Sequence, residues 1–284
     1  MTIEGPGVRI RVIDAFTGEP FTGNPAGVCL LEAGGWPDES WMRRVAAEMR
    51  HSETAFAYPL PDGDGADWAL RWFTPAAEVD LCGHATLATA HALHADSGRA
   101  GTIRFSSRSG ILLAHTHGGG SITLDFPAAR LATVPVASAL TEALGASPEA
   151  AFGTGDLGDV LVVVRDEATV RALEPDLAAL AQWTRAENVR GVIVTAPAAE
   201  PGTGYDYVSR FFAPAVDVDE DPFTGSAHTA LAPYWSRRLD STELVGLQAS
   251  ARGGTARTAI AGERVHLTGG AVTVLDGTVL AAGG

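Results

Sequence analysis

The chain contains one decapeptide twice, as RWFTPAAEVD at Arg71–Asp80 and as RFFAPAVDVD at Arg210–Asp219. Six of the ten positions are identical, and the copies are separated by about half of the 284 residues. Such a long spacing indicates duplication of a whole domain, because solenoid repeats recur at much shorter periods. We therefore predict two related domains, residues 1–127 and 128–284, with the last strands as candidates to pack back on the first domain.

Each copy of the decapeptide runs into a glycine-containing turn and then into an alanine- and leucine-rich stretch. The first reads LCGHATLATAHALH after Asp80, and the second reads EDPFTGSAHTALAPYW after Asp219. A helix with such a sequence is apolar on most faces, so we expect it inside its domain, wrapped by a sheet. Short strands dominate the rest of both halves, with one apolar helix in each half and a further helix at Asp38–Arg50, capped at its start.

Composition excludes several classes of protein. Apolar residues make up 46% of the chain, which is enough for two cores, and the formal net charge of −14 argues against nucleic acid or an anionic membrane as a partner. No apolar run approaches the ~18 residues of a membrane-spanning helix, and no signal pattern opens the sequence. Two cysteines imply no disulfide framework, which fits a reducing cytoplasm.

The basic residues exclude two kinds of chemistry. All 20 are arginine, and the chain has no lysine. A Schiff base with pyridoxal phosphate or with a carbonyl substrate needs a lysine, and so does a phosphate-binding P-loop. No metal motif stands out either, because His115 and His117 share a strand face without a third ligand nearby.

The two predicted helix starts are candidate binding sites. A helix N-terminus presents backbone N–H groups and a partial positive charge, which together suit a carboxylate. Gly83 and Gly225 allow a ligand to approach the backbone closely, and His84 and Ser226 follow them. Related domains commonly leave a pocket between them, so we expect both helix starts to face one cleft.

Four motifs, in order, resemble the PhzF (phenazine-biosynthesis-like) isomerase family. They are AFTGEPFTGNPAGV, HSETAF, DLCGHATLA and EDPFTGSA, and the resemblance extends over essentially the whole chain. It implies the diaminopimelate-epimerase-like fold, which is α+β, with two pseudo-symmetric domains, each a curved, mostly antiparallel or mixed sheet wrapped around a central α-helix. It also implies cofactor-independent proton transfer on a small carboxylated substrate, and a homodimer. We therefore expect an enzyme that needs no metal, nucleotide or pyridoxal.

The resemblance assigns roles to individual residues. Glu53 in SETAF matches the general acid/base, and His84 and Asp221 match the polar groups that hold and polarise the substrate. The residues that match substrate-binding positions at or near the helix starts are Gly83, Thr224, Gly225, Ser226 and Asn24. A proton-transfer carboxyl needs a pKa near the working pH, and burial beside apolar residues supplies one.

Two alternatives remain open. Related epimerases of this fold use two thiols, one at each helix start, and Cys82 occupies the first of these positions. Its counterpart in the repeat is Thr224, and Cys29, in GVCLL, is typical of a strand core, so a two-thiol enzyme would be one thiol short. The second alternative is a non-catalytic homologue that binds a small molecule without turnover.

Overall fold

The computed structural model describes residues 7–280. The strands are β1 (Val8–Ala15), β2 (Asn24–Leu30), β3 (Glu53–Pro59), β4 (Trp68–Phe73), β5 (Glu78–Val79), β6 (Gly101–Ser107), β7 (Gly110–Thr116), β8 (Ile122–Pro127), β9 (Ala132–Val134), β10 (Ala150–Gly153), β11 (Val160–Val163), β12 (Val192–Pro197), β13 (Tyr207–Phe212), β14 (Glu243–Gln248), β15 (Gly254–Ala261), β16 (Arg264–Gly269) and β17 (Ala271–Val279). The helices are α1 (Glu39–Met49), α2 (Gly83–Ser97), α3 (Ser138–Leu144), α4 (Glu167–Arg171), α5 (Leu177–Ala186) and α6 (Gly225–Leu239).

The chain divides into two compact units. The first unit comprises the residues up to Asp125 together with those from Thr268 onward, and the second unit comprises Phe126–Leu267. The last strand, β17, belongs to the first unit, where it pairs antiparallel with β1. Across the described residues, no helix has the length and apolar character that crossing a membrane requires.

Both units build their sheets in the same order. In the first unit β1 is antiparallel to β2, β2 is parallel to β3, and β3 is antiparallel to β4. The second unit repeats this pattern with β10, β11, β12 and β13. Beyond these strands, β4 is parallel to β6 and β13 is parallel to β14, and each of these continues into an antiparallel neighbour. The predicted α+β architecture, with a mixed sheet in each half, is therefore confirmed.

The apolar helices lie inside their units, as their composition predicts. In α2 the run from His84 to Ala90 is buried without interruption, and in α6 the run from Ala227 to Ala232 is buried too. Each helix follows the strand that carries a copy of the decapeptide. The connection from β4 to α2 contains β5, and α6 is the next α-helix after β13. Gly83 and Gly225 are the first residues of α2 and α6.

The repeated arginine of the decapeptide has the same structural role in both units. Arg71 donates to Glu78 and its guanidinium lies 5.1 Å from the ring centroid of Phe73. Arg210 donates to Glu220, and its guanidinium lies 4.9 Å from the centroid of Phe212. An arginine and an aromatic residue two positions apart lie on one face of a strand, so each ring can cover its guanidinium while a glutamate binds it. Duplicated packing therefore accounts for part of the repeated sequence.

The second unit contains more helices than the one apolar helix that the sequence predicted for it. Besides α6, this unit contains α3, α4 and α5, of which α5 begins at Leu177. Asp176 caps α5 by accepting hydrogen bonds from the backbone N–H groups of Ala178 and Ala179. Asp38 caps α1 in the same way, and that helix was predicted. Aspartate at such a position is a recognisable start signal, so α5 could have been found from its cap.

Candidate active site

Glu53 and His84 meet in the first unit. Glu53 is the first residue of β3, and His84 is the second residue of α2. The carboxylate oxygen Oε2 of Glu53 lies 3.3 Å from Nε2 of His84, a close approach that is not aligned as a full hydrogen bond. The side chain of Glu53 is 18% exposed and that of His84 only 6%. Of the two, the carboxylate is therefore the group that a small molecule reaches more readily.

The other imidazole nitrogen of His84 has two neighbours. Nδ1 lies 3.3 Å from Nδ2 of Asn24, the first residue of β2, and 3.5 Å from Sγ of Cys82. An amide nitrogen can only donate a hydrogen bond, so Nδ1 accepts. The proton of the neutral ring is then on Nε2, the nitrogen on the side of Glu53. Asn24 itself is fully buried, so its contact with His84 fixes the imidazole from behind.

Burial keeps His84 neutral. Removal of the ring from water, with a smaller contribution from the neighbouring His51, lowers the pKa of His84 from its usual 6.5 to about 3. A neutral imidazole does not form an ion pair with the Cys82 thiol, so the helix start carries no thiolate–imidazolium pair. At neutral pH the His84 ring is therefore uncharged, and its one N–H, on Nε2, is oriented toward Glu53.

The donor atoms of Glu53, Cys82 and His84 lie within 4.8 Å of one another, which is close enough to raise the question of a metal ion. The thiol lies against Nδ1 of the imidazole, whereas the carboxylate lies against Nε2. A single ion binds only one nitrogen of a histidine, so the ring in this orientation does not direct both neighbours to one centre. The arrangement is a row of three polar side chains, in which Asn24 contacts Nδ1 of His84 and Nε2 of His84 approaches Glu53.

A second cluster surrounds the start of α6 in the second unit. Thr224, the residue before this helix, donates from Oγ1 to Oδ2 of Asp221 at 2.5 Å. Gln248, at the end of β14, accepts from the backbone N–H of Thr224 at 2.9 Å and donates to the carbonyl oxygen of Asp221 at 2.7 Å. Because Gln248 is fully buried, these bonds hold the loop from Asp221 to Thr224 firmly against the helix start.

Ser226 adjoins an arginine that the sequence did not single out. Nη2 of Arg190 donates to Oγ of Ser226 at 3.1 Å, and Nε of Arg190 donates to the buried carboxylate of Asp159 at 2.8 Å. Burial raises the pKa of Asp159, although the Arg190 guanidinium opposes this effect. Three polar residues of this cluster, Asp159, Arg190 and Gln248, thus support it from strands and loops outside the motifs.

The candidate residues therefore fall into two groups. Asn24, Glu53, Gly83 and His84 lie together in the first unit with Cys82. Asp221, Thr224, Gly225 and Ser226 lie together at the start of α6 in the second unit. Gln248, Asp159 and Arg190 were not found because they carry no local motif. Only their hydrogen bonds, which join residues far apart in the chain, mark them.

Comparison with known protein families gives one consistent result. The sequence model of the PhzC-PhzF family, described as phenazine biosynthesis-like protein, matches residues 13–277. A relative from Pseudomonas aeruginosa, named an uncharacterized isomerase, is 46% identical over 273 residues, which cover 96% of this chain and 98% of the relative.

Solved structures agree with the sequence comparison. A crystal structure of a PhzF-family phenazine biosynthesis protein from Enterococcus faecalis superimposes with a TM-score of 0.85 at 38% identity, covering 96% of this chain and 99% of that one. A hydroxyproline epimerase from Agrobacterium vitis, at 12% identity and a TM-score of 0.62 over 96% of this chain and 92% of that one, shares the fold.

Proposed function

The chain belongs to the phenazine biosynthesis-like (PhzC-PhzF) family, and on this premise we propose that it is an isomerase that moves a carbon-bound proton on a small carboxylated metabolite. Glu53 is the general acid/base in this proposal. The observation that carries it is the approach of the Glu53 carboxylate to Nε2 of His84, at 3.3 Å, where β3 and α2 begin. Three relatives are named uncharacterized isomerases, and these names support the reaction class.

The proposed reaction balances without a cofactor. Glu53 takes a proton from an acidic carbon, and the electron pair of the broken C–H bond moves into an adjacent conjugated system. The protonated Glu53 then returns the proton to another carbon of the same molecule. No electron is gained or lost overall, and the carboxylate is regenerated, so the substrate is isomerised by acid/base catalysis alone.

His84 supports both states of this carboxyl group. Its Nε2–H lies on the side of Glu53 and favours the carboxylate form, in which the residue is a base. Once Glu53 has taken a proton, the same N–H is available to a developing negative charge on the substrate, because a neutral imidazole donates without moving its own proton. Asn24 acts through His84 in this scheme, by fixing which nitrogen carries the hydrogen.

The thiol alternative has less support. Cys82 lies behind the imidazole, against Nδ1, and is 6% exposed. Its counterpart before α6 is Thr224, which donates its hydroxyl to Asp221. Cys29 lies in the core beneath α1, and burial raises the pKa of its thiol to about 12. A pair of thiols acting from two sides would need a second reactive cysteine, and Cys29 does not fit that role.

We assign the cluster at the start of α6 to substrate binding. The backbone N–H groups of its first turn and the Ser226 hydroxyl are suited to a carboxylate, and the loop with Asp221 and Thr224 is held by Gln248. Gly83 and His84 offer the same kind of helix start in the first unit. That both helix starts bind one substrate stays a prediction.

The reaction can be tested before the substrate is known. Small carboxylic acids with an acidic C–H are incubated with the protein in heavy water, and deuterium entering carbon is followed by NMR. Wild-type protein is expected to exchange at least one of them. Glu53→Gln keeps the shape of the side chain but cannot carry the proton, so exchange should fall by about 10²–10⁴ while binding survives.

Glu32→Gln, at an exposed glutamate outside the cluster, is the matched control and should exchange as the wild type does. Exchange at the wild-type rate in the Glu53→Gln variant would refute the role of Glu53. Tight binding of a carboxylate without any exchange would instead favour the non-catalytic homologue.

A further inference from the structure

The second unit lacks a side chain where the first unit has its acid/base. In the first unit Phe73 pairs with Thr54, the residue after Glu53. In the second unit the matching Phe212 pairs with Val192, so Gly191 occupies the position of Glu53. A Cβ atom at Gly191 would lie 2.5 Å from the ring of Phe211, closer than packed atoms approach. Packing therefore excludes an equivalent glutamate from the second unit.

The residue before this glycine, Arg190, supplies a fixed positive charge instead. Its Nε and Nη2 donate to the two carboxylate oxygens of Asp159, whose side chain is fully buried. The guanidinium also lies 5.4 Å from the ring centroid of Phe211. The Arg190 side chain is nevertheless 41% exposed. A two-point bond to a buried carboxylate orients the planar guanidinium while leaving part of it open to solvent.

The contact of Arg190 with Ser226 determines what the serine can do. A guanidinium carries only donors, so at 3.1 Å the Ser226 oxygen accepts from Nη2. The hydrogen of the serine hydroxyl must then point away from Arg190 and is available to an acceptor. Ser226 is the second residue of α6, a helix of 15 residues, so this donor lies beside first-turn backbone N–H groups.

We propose that Arg190 is a positioning residue that, held by Asp159, fixes the Ser226 hydroxyl as a donor to the carboxylate of the substrate. This inference rests on the proposed function for the identity of the reaction, but not for the binding of a carboxylate. A chain with a formal net charge of −14 repels anions at long range, so their binding depends on oriented local donors such as this hydroxyl and the first-turn N–H groups.

The test measures binding of two simple carboxylates, acetate and benzoate, by titration calorimetry and NMR. Arg190→Met and Ser226→Ala should each weaken binding by about 10-fold to 100-fold, because the first leaves the Ser226 hydroxyl without a fixed orientation and the second removes the hydroxyl. The double variant should bind no more weakly than the single variants, since the arginine acts through the serine. If Arg190→Met alone does not fold, the variant that combines it with Asp159→Asn replaces it in the binding test, because that variant leaves no unpaired buried carboxylate.

Arg171→Met is the matched control. Arg171 is also a partly exposed arginine of the second unit and binds a buried carboxylate, that of Glu167, at 2.7 Å. The Arg171→Met variant should bind acetate and benzoate as tightly as the wild type does. Three outcomes would overturn the inference. The Arg190 variants could bind as tightly as the wild type, the losses could add in the double variant, or the wild-type protein could fail to bind either carboxylate.

The exchange assay separates this inference from the proposed function. Where a substrate exchanges, Arg190→Met should raise KM with little change in kcat, whereas a merely structural role would lower the amount of folded enzyme without changing KM. Carboxylate binding that depends on Arg190, with no exchange by the wild type, would refute the proposed reaction and leave the inference standing. Exchange by the wild type, with an unchanged KM in the Arg190→Met variant, would refute the inference and leave the proposed reaction standing.

Discussion

Nδ2 of Asn24 lies 3.3 Å from Nδ1 of His84, and this contact determines which nitrogen of the imidazole can donate a hydrogen bond. Asn24 begins β2 and His84 lies in the first turn of α2, so packing of the helix against the strand brings them together. The amide donor makes Nδ1 an acceptor and places the ring hydrogen on Nε2, beside Glu53. The structure thus relates a fully buried residue to the proposed proton transfer.

Replacement of Asn24 by aspartate tests this relationship. The change is isosteric, but a carboxylate accepts where the amide donated, so we expect the hydrogen of His84 to move to Nδ1. Long-range ¹H–¹⁵N NMR spectra report the protonated nitrogen directly, and the exchange activity should fall with the tautomer change. Asn188→Asp, at an exposed position, is the control. An unchanged His84 spectrum in the Asn24→Asp variant would contradict the assignment.

Cys82→Ser should cost the enzyme little. The thiol lies against the accepting nitrogen of His84, and a hydroxyl can donate to that nitrogen in its place. We expect the exchange rate of Cys82→Ser to stay within about tenfold of the wild type, compared with the loss of about 10²–10⁴ at Glu53. Exchange rates of both variants, measured side by side, decide the ranking. An inactive Cys82→Ser variant with an active Glu53→Gln variant would establish a thiol mechanism.

The buried histidines should make stability depend on acid. Burial lowers the pKa of both His84 and His228 to about 3 in the folded protein, against about 6.5 in an unfolded chain. Between these values the unfolded chain binds more protons, so the free energy of unfolding is greatest above about pH 6.5. It should fall as the pH drops toward 3, by about 1.4 kcal/mol per pH unit for each histidine.

Urea unfolding at a series of pH values measures this slope. His84→Gln should reduce the slope by the contribution of one histidine, about 1.4 kcal/mol per pH unit. His117→Gln, at an exposed position, should leave the slope unchanged. An identical slope in the wild type and in the His84→Gln variant would show that His84 is not kept neutral by the fold.

Gln248 should be needed for stability as well as for the loop of Asp221. Gln248→Leu leaves the buried N–H of Thr224 and the carbonyl of Asp221 without this partner. We expect the free energy of unfolding to fall by about 2–4 kcal/mol, since each unsatisfied buried group costs about 1–3 kcal/mol. Urea unfolding measures the loss, and Gln182→Leu, at an exposed position of α5, is the control. Equal stability of the two variants would argue against the role of Gln248.

The homodimer implied by the family resemblance stays a prediction. Light scattering at micromolar concentration should give about twice the 29.4 kDa of one chain. A mass near that of a single chain would contradict it.

The sequence by itself determined the α+β fold, the family and the residues of both clusters that lie in motifs. The decapeptide repeat predicted two related sheets, and the apolar helices after each copy predicted what those sheets enclose. Short-range signals sufficed because alternation, capping and helix composition act within a few residues of one another. The roles expected for Glu53, His84 and Asp221 came instead from the resemblance of their motifs to the family.

Only the tertiary structure determined which nitrogen of His84 faces Glu53. It also showed that Asp159, Arg190 and Gln248 support the second cluster. These residues lie in ordinary strand and loop sequences, and their hydrogen bonds to Ser226, Thr224 and Asp221 join distant parts of the chain. The strand register likewise showed that Gly191 occupies the position that Glu53 has in the first unit. The ring of Phe211 fills the space that a side chain at Gly191 would need. A hydrogen bond between side chains depends on distance and direction in space, and the order of residues along a chain does not specify either until the fold is formed.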